Sequence, residues 1–238
     1  MSSEFGLLYL AATPIGNLKD ITLRVLEILG SVDLILAEDT RRTGLLLKTY
    51  DIHKPLLSYH DHNKVRKTPD IIKRLVQGEN IALVTDAGTP GISDPGYYLV
   101  RAAIGAGITV TPLPGASACI AALSCSGLPS DRFLFYGFIP RKPGKRRSLL
   151  EEALLFNGTI ILYESPFRVI KTLGEVIEIF GSDREVVVAR EISKIYEEFL
   201  RGRAAEVLEE IRRRNSVKGE CVILISGKAP ARDEDVDE

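Results

Sequence analysis

Short apolar runs alternate along this chain with stretches in which apolar residues recur every three or four positions. That alternation predicts strands separated by helices, an α/β architecture. Leu7–Thr13 reads as a strand that turns at Pro14-Ile15-Gly16-Asn17. Asp20 can cap a helix in which Leu23, Leu26 and Ile28 share a face and which ends at Gly30. Val32–Ala37 is the next strand, leading to Glu38-Asp39-Thr40-Arg41-Arg42. Helices are expected over Thr43–Tyr50 and Asp70–Val76, strands over Asn80–Thr85 and Ile108–Leu113, and a helix of small residues over Gly115–Ser126.

A second series starts after Pro129. Phe133–Phe138 reads as a strand, followed by a basic loop and a helix over Ser148–Phe156. Thr159–Tyr163 is a strand and Pro166–Phe180 a helix; Glu185–Arg190 and Tyr196–Arg201 read as neighbouring strands, Ala204–Arg214 as a helix, and Glu220–Ser226 as the closing strand. The pattern divides into two α/β domains, 1–123 and 124–228, followed by a tail over 229–238. A cleft between two such domains is the default place for a ligand.

The densest punctuation falls in Thr85–Gly96, where twelve residues hold three glycines, two prolines and two aspartates. Glycine admits positive φ and close approach, and proline fixes φ. Such a loop at the carboxyl end of a strand lies where open α/β sheets bind ligands. It can also be read as an elaborate turn that starts a helix at Ser93 or Asp94. Three further strands run into loops of similar character: Thr13–Asn17, Pro114-Gly115-Ala116-Ser117 and Glu164-Ser165-Pro166-Phe167-Arg168. Together they favour a ligand loop.

Composition narrows the class. With 45% hydrophobic and 26% charged residues the chain is of ordinary globular make-up. No apolar run approaches the ~20 residues of a membrane span, and the N-terminus reads without a secretory signal. Cys119, Cys125 and Cys221 are odd in number and lie in apolar contexts, which suits buried thiols in a reducing cytoplasm. His60-Asp61-His62 offers two imidazoles but no third strong ligand nearby, so it reads as a polar or substrate-lining loop and no metal is expected. The net charge of −1 hides an acidic tail, since Asp233–Glu238 carries five of the 32 carboxylates and the rest of the chain has 31 basic against 27 acidic residues. Five like charges around one Val predict disorder there. Arg141, Lys142, Lys145, Arg146 and Arg147 cluster around Pro143-Gly144, which reads as a break before the following helix. A charge run is ordinarily a solvated face; one on a broken loop equally suits phosphate contact.

The familiar nucleotide and hydrolase signatures are absent. There is no G-x-x-x-x-G-K-[ST] loop, no G-x-G-x-x-G between a first strand and its helix, and no G-x-S-x-G elbow. The loops that remain resemble those of the tetrapyrrole methylase superfamily, two-domain S-adenosylmethionine (SAM) methyltransferases. Within it, Thr13–Thr22, Ala37–Arg41, Tyr59–Asn63, Thr85–Gly96, Tyr163–Arg168 and Arg190–Lys194 resemble the ribosomal RNA small-subunit methyltransferase I family, in order and over residues 5–227. The resemblance implies 2′-O-methylation of a cytidine ribose in the decoding centre of 16S rRNA, within the small ribosomal subunit, by a cytoplasmic homodimer with no membrane association.

It also implies a fold and a site: two α/β domains with SAM in the cleft between them. Pro14, Asp86, Ala87, Gly88, Thr89, Pro90, Ile92 and Ser93 would hold the cofactor with Ser117 and Ala118, and Tyr163 and Ala189 would come from the second domain. For Ala118 and Ala189 simple core packing is the alternative. A base for the ribose hydroxyl would help; Glu164, Glu191 and Lys194 are the candidates, with a helix-start role for Glu164 and a surface ion pair for the other two as alternatives. Arg141, Lys142, Lys145, Arg146 and Arg147 are the candidates for RNA contact. Two other functions fit less well: a same-fold enzyme acting on a tetrapyrrole or a translation-factor histidine derivative, and a non-catalytic RNA- or ribosome-binding protein. The basic cluster and the Thr-Pro-Ile-Gly-Asn-Leu opening argue against a tetrapyrrole substrate, and SAM binding separates the last reading from the rest.

Overall fold

The computed structural model describes residues 5–214 and 216–227, so the acidic tail lies outside the described residues. The chain forms two compact units, Met1–Ser117 and Ala118–Glu238. The first is built on β1 (Leu8–Ala11), β2 (Leu34–Ala37), β3 (Leu56–Ser58), β4 (Ile81–Val84) and β5 (Val110–Leu113), in the order β3-β2-β4-β1-β5. Every pairing is parallel. β2 and β4 are buried along their whole length, as strands covered on both faces must be. On one face α1 (Leu23–Ser31) and α2 (Thr40–Thr49) bring Val25, Leu29 and Leu47 against Ile35, Ala37, Ala82 and Val84. On the other, α3 (Lys64–Val76) and α4 (Tyr97–Gly105) bring Ile71, Leu75, Leu99 and Ala103 against Leu8, Leu36 and Leu83. Neighbouring β1 and β4 thus lead to helices on opposite faces. Their carboxyl ends form a topological switch point, the place at which open α/β sheets bind ligands.

The second unit carries β6 (Phe133–Phe138), β7 (Thr159–Glu164), β8 (Glu185–Arg190), β9 (Glu198–Arg203) and β10 (Cys221–Ile225), in the order β6-β7-β10-β8-β9. Only β6 and β7 are parallel. Because β10 runs against both β7 and β8, the carboxyl ends of β6, β7 and β8 share one end of the sheet. α6 (Pro143–Ala153), α7 (Val169–Phe180) and α8 (Ala204–Arg212) cover one face through Leu150, Leu173, Val176 and Val207. α5 (Ala118–Ser124) covers the other, placing Cys119, Ala122 and Leu123 against Ile161, Val187, Ala189 and Leu224. Residues 118–123, which the sequence reading groups with the first domain, therefore pack as part of the second unit.

Several expected boundaries move for local reasons. Asp20 ends a short 3-10 turn, Leu18–Asp20, capped by Asn17, and Thr22 caps α1 by accepting from the Val25 N–H at 3.2 Å. α3 begins at Lys64 and runs through Pro69, so the proline hid its first turns. β3 is only three residues long and carries too little pattern to read. The basic cluster is corrected most: Pro143 occupies the first turn of α6, where a proline starts a helix instead of breaking one. Among the described residues no helix is long and apolar enough to cross a membrane.

Candidate functional site

At the switch point the loops after β1 and β4 are tied together. Thr13 and Gly88 exchange both main-chain hydrogen bonds, at 2.9 and 3.0 Å, and Thr13 Oγ1 donates to the Thr85 carbonyl at 3.0 Å. The loop after β5 joins them, with Thr89 Oγ1 donating to the Ala116 carbonyl at 3.2 Å. Gly88 and Gly91 sit at φ of +90° and +86°, and Ser93 at +64°. The positive φ requires glycine at 88, and at 91 an added side chain would meet open space, so the main chain there is open to a partner. Gly115 fits because a Cβ would come within 2.8 Å of the Ala12 methyl. α4 begins only at Tyr97, behind Gly96, so Ser93 and Asp94 belong to an ordered loop and do not start the helix.

Carboxylates gather beneath this loop. Asp86 accepts from the Asp39 N–H at 3.1 Å and pairs with Arg42 at 3.2 Å, and Thr85 Oγ1 donates to Glu38 at 3.0 Å. Burial pushes the Asp94 carboxyl up to about 6, against a hydrogen bond from Thr85 and with reinforcement from the Glu38 and Asp86 charges. Pro14 is half-buried, Pro90 buried, and Ala87 and Ile92 exposed along the same loops. Ser117 precedes α5. His60 is held through Nε2 by the Asn63 amide at 2.9 Å, and no group of three His, Cys, Asp or Glu residues able to hold a metal occurs among the described residues.

In the second unit the three candidate bases are each engaged by neighbouring groups. The Glu164 carboxylate is wholly buried: Oε1 accepts from the Ser165 N–H and from Arg168 Nε, both at 2.7 Å, and Oε2 accepts from Thr172 Oγ1 at 2.7 Å. It has no face left for a ribose hydroxyl. Glu191 Oε1 accepts from Lys194 Nζ at 2.9 Å and from the Glu220 N–H at 3.0 Å, and Lys194 also reaches Glu220 at 3.1 Å. Burial alone would raise Glu191, but the Lys194 and Glu220 hydrogen bonds outweigh it and hold the carboxyl below its usual value. Lys194 is raised despite burial, by the same two carboxylates, and stays protonated. The ion-pair alternative is the one the structure takes, and an ammonium cannot accept a proton.

The remaining candidates divide. Tyr163 accepts from the Cys119 N–H at 3.1 Å at the start of α5, with Phe135 and Phe138 edge-on to its ring. Ala189 is fully buried against α5, and its methyl is core packing; Ala118 is half-buried beside it. Arg141, Lys142 and Lys145 are exposed. Arg146 is not: only 2% of its surface is accessible, and its guanidinium forms a two-pronged ion pair with Glu175 at 2.5 Å on each prong. It cannot contact phosphate. Arg147 is exposed but engaged with Glu151 at 2.9 Å and Glu178 at 3.2 Å.

The family of Tetrapyrrole (Corrin/Porphyrin) Methylases matches residues 7–208. Curated relatives named ribosomal RNA small subunit methyltransferase I are 50% identical in Synechocystis (94% of this chain, 80% of the relative) and 48% in Haemophilus influenzae (99% and 83%). The chain belongs to that family of methyltransferases. Its fold is shared by a uroporphyrin-III-C-methyltransferase from Thermus thermophilus (TM-score 0.64, 19% identity, 93% of this chain and 94% of that one). It is shared equally by a putative diphthine synthase from Entamoeba histolytica (TM-score 0.67, 18% identity, 96% and 94%). Another T. thermophilus structure of the same enzyme type was solved with S-adenyl homocysteine.

For a family whose methyl donor is SAM, the first unit offers suitable chemistry. SAM carries a sulfonium and an ammonium against one carboxylate, a net positive ligand. Glu38, Asp39, Asp86 and Asp94 outnumber Arg41 and Arg42 around the loop, and open main chain at Gly91 provides polar groups without side-chain bulk. The supporting roles of Glu38, Arg42, Thr85 and Asp94 escaped the sequence reading. The signal available was the run Glu38–Arg42 directly after an apolar strand, but nothing in one sequence says that β2 lies beside β4.

Proposed function

We propose that this protein methylates the ribose 2′-oxygen of a cytidine in the decoding centre of 16S rRNA, acting as a cytoplasmic homodimer on the small ribosomal subunit. The observation that carries the reading is the twelve-residue switch-point loop, with Gly88 and Gly91 at positive φ, in a chain about half identical to rRNA methyltransferases. Pro14, Asp86, Ala87, Gly88, Thr89, Pro90, Ile92, Ser93, Ser117, Ala118 and Tyr163 would hold SAM. When bound, SAM supplies a methyl on a sulfonium, already an excellent leaving group. The chain's own residues then need chiefly to align the acceptor oxygen, which can supply much of the acceleration. With Glu164 sealed and Glu191 and Lys194 paired, alignment is their contribution: as the methyl–sulfur bond breaks and the methyl–oxygen bond forms, the 2′-hydroxyl proton passes to solvent water and S-adenosylhomocysteine leaves.

Purified small subunits lacking the modification, incubated with the protein and isotopically labelled SAM, should yield labelled 2′-O-methylcytidine on nuclease digestion and mass spectrometry. Label on a base carbon or nitrogen, or none in rRNA, would overturn the assignment. Light scattering at micromolar concentration should report twice the monomer mass.

A further inference from the structure

The second unit leaves three aromatic rings in water at one end of its sheet. Phe138, Phe167 and Tyr196 are 67%, 92% and 72% exposed. Phe138 ends β6, and the other two lie in the loops after β7 and β8. Glu164 and Arg190 both register with Cys221, so the ends of β7 and β8 lie one strand apart on either side of β10, about 10 Å between them. At β6 the register slips between Phe135 and Gly137, with Gly137 at φ +63°, and the largely exposed Phe138 ring packs T-shaped against Tyr163.

Buried charge fixes these loops from below. Arg168, paired with Glu164, donates to the Ile139 carbonyl at 3.0 Å and so ties the loop after β7 to the loop after β6. Arg146 donates to the Arg141 carbonyl at 3.1 Å, stiffening the segment that presents Arg141 and Lys142. The Lys194–Glu191–Glu220 latch holds the loop that presents Tyr196, with Glu191 and Ser193 at φ of +53° and +65°. Arg141, Lys142 and Lys145 are exposed and form no ion pair among the described residues.

We propose that this end of the second unit is a docking surface for single-stranded RNA, with Phe138, Phe167 and Tyr196 stacking on unpaired bases and Arg141, Lys142 and Lys145 holding phosphates. Aromatic platforms beside free cations are the combination that binds single strands without reading sequence. An interface between two copies of the chain would instead have to desolvate three unpaired cations beside the rings. Rigid loops lower the ordering cost of binding. The inference rests on the rRNA reading and adds where the strand lies; Glu164, Arg146, Glu191 and Lys194 become positioning residues for it.

A fluorescent, unstructured oligoribonucleotide titrated by anisotropy across a salt series tests this. Phe167→Ala and Tyr196→Ala should each weaken binding roughly 5- to 150-fold with the salt slope unchanged. Arg141→Ala/Lys142→Ala/Lys145→Ala should flatten the slope by about 0.7 for each phosphate no longer neutralised. All of these side chains are exposed, so the variants should keep the wild-type thermal midpoint. Wild-type affinity in the Phe167→Ala/Tyr196→Ala double variant would overturn the proposal. So would conversion of a wild-type dimer to monomer in that variant with RNA affinity unchanged, which would assign the surface to a second copy. Methylation of rRNA by the wild-type protein is scored separately: its absence alongside ring-dependent RNA binding defeats the functional reading and spares this one, and its presence with ring-independent binding does the reverse.

Discussion

In the first unit the loop after β4 is held by main-chain bonds to Thr13 and by glycines at positive φ, and its ion pair, Asp86 with Arg42, lies partly in water. In the second, the loops after β6, β7 and β8 are held by side-chain charges beneath them, Arg146 with Glu175, Arg168 with Glu164, and Lys194 with Glu191. The difference follows from what each loop presents. A loop that offers its own backbone to a ligand must keep side chains away, so its order comes from backbone conformation. A loop that presents rings and cations outward can be anchored by side chains pointing inward. The two designs should fail differently when mutated.

The largest effects are expected where buried pairs are broken, at Glu164 and equally at Arg146. Replacing Glu164 with Ala leaves the buried Thr172 hydroxyl without its carboxylate acceptor and the partly buried Arg168 guanidinium with only the Ile139 carbonyl and no counter-charge, and breaking a buried pair from one side costs about 3–5 kcal/mol. Denaturant unfolding should show that loss. Glu164→Gln keeps the shape and should retain most methyl transfer per folded molecule. A general base would instead lose about 10²–10⁴-fold in turnover with little loss of stability, and that outcome would restore Glu164 to the chemistry.

Next comes Gly88→Val. A β-branched residue at φ +90° is strained by about 1–3 kcal/mol, while the space around the site is ordinary, the nearest atoms lying 3.6 and 3.7 Å from an added Cβ. The loop should relax away from this conformation locally. SAM affinity measured by calorimetry should fall by about 10- to 100-fold, as a strain of that size spent on binding implies, with the fold intact. Undiminished affinity would remove the loop from the SAM site.

The pattern of the sequence was enough for the alternation of elements and the rich loop, because buried strands and glycine-proline punctuation are local signals. Partnership was not legible. Arg146 and Arg147 are adjacent and chemically identical, yet helical geometry sends one inward to Glu175 and the other outward. Reading Pro143 as a break instead of a first turn concealed that geometry. Glu164 misled in the same way: a glutamate at a strand end near a glycine-poor, proline-bearing loop looks like a catalytic group until Arg168 and Thr172 close over it. Family resemblance located the loops, and only the packing could say which of their charges were already engaged.

A smaller effect is expected at Asp94, where the first unit does bury charge. Its folded pKa, near 6, lies above the ordinary 3.8, so the native state binds the proton more tightly than the unfolded chain. Asp94 is protonated in both states below about pH 4, and its burial costs stability progressively as pH rises through 6. The shift of about two units corresponds to about 3 kcal/mol, which partial exposure reduces to about 1–2 kcal/mol. Asp94→Asn should therefore be the more stable protein at pH 7–8 by that amount and equal to wild type at pH 4. A lower stability at pH 7 would mean that the hydrogen bond from Thr85 to the carboxylate outweighs its burial.

Arg147→Ala should do least, and it isolates burial as the cause of the contrast. Its partners Glu151 and Glu178 are 53% and 63% exposed and its own side chain 52%, so water already screens both pairs. Exposed pairs contribute about 0–1 kcal/mol, and the i,i+4 pair with Glu151 belongs at the low end. Unfolding free energy should shift by no more than about 0.5 kcal/mol, and the shift should vanish in high salt as the Debye length shortens. Arg146→Ala, one residue earlier, should cost about 3–5 kcal/mol and respond little to salt, because Glu175 is left 16% exposed with no counter-charge in place of the guanidinium. Equal losses at the two positions would show that the number of ion pairs, and not their removal from water, sets the rigidity of the second unit's loops.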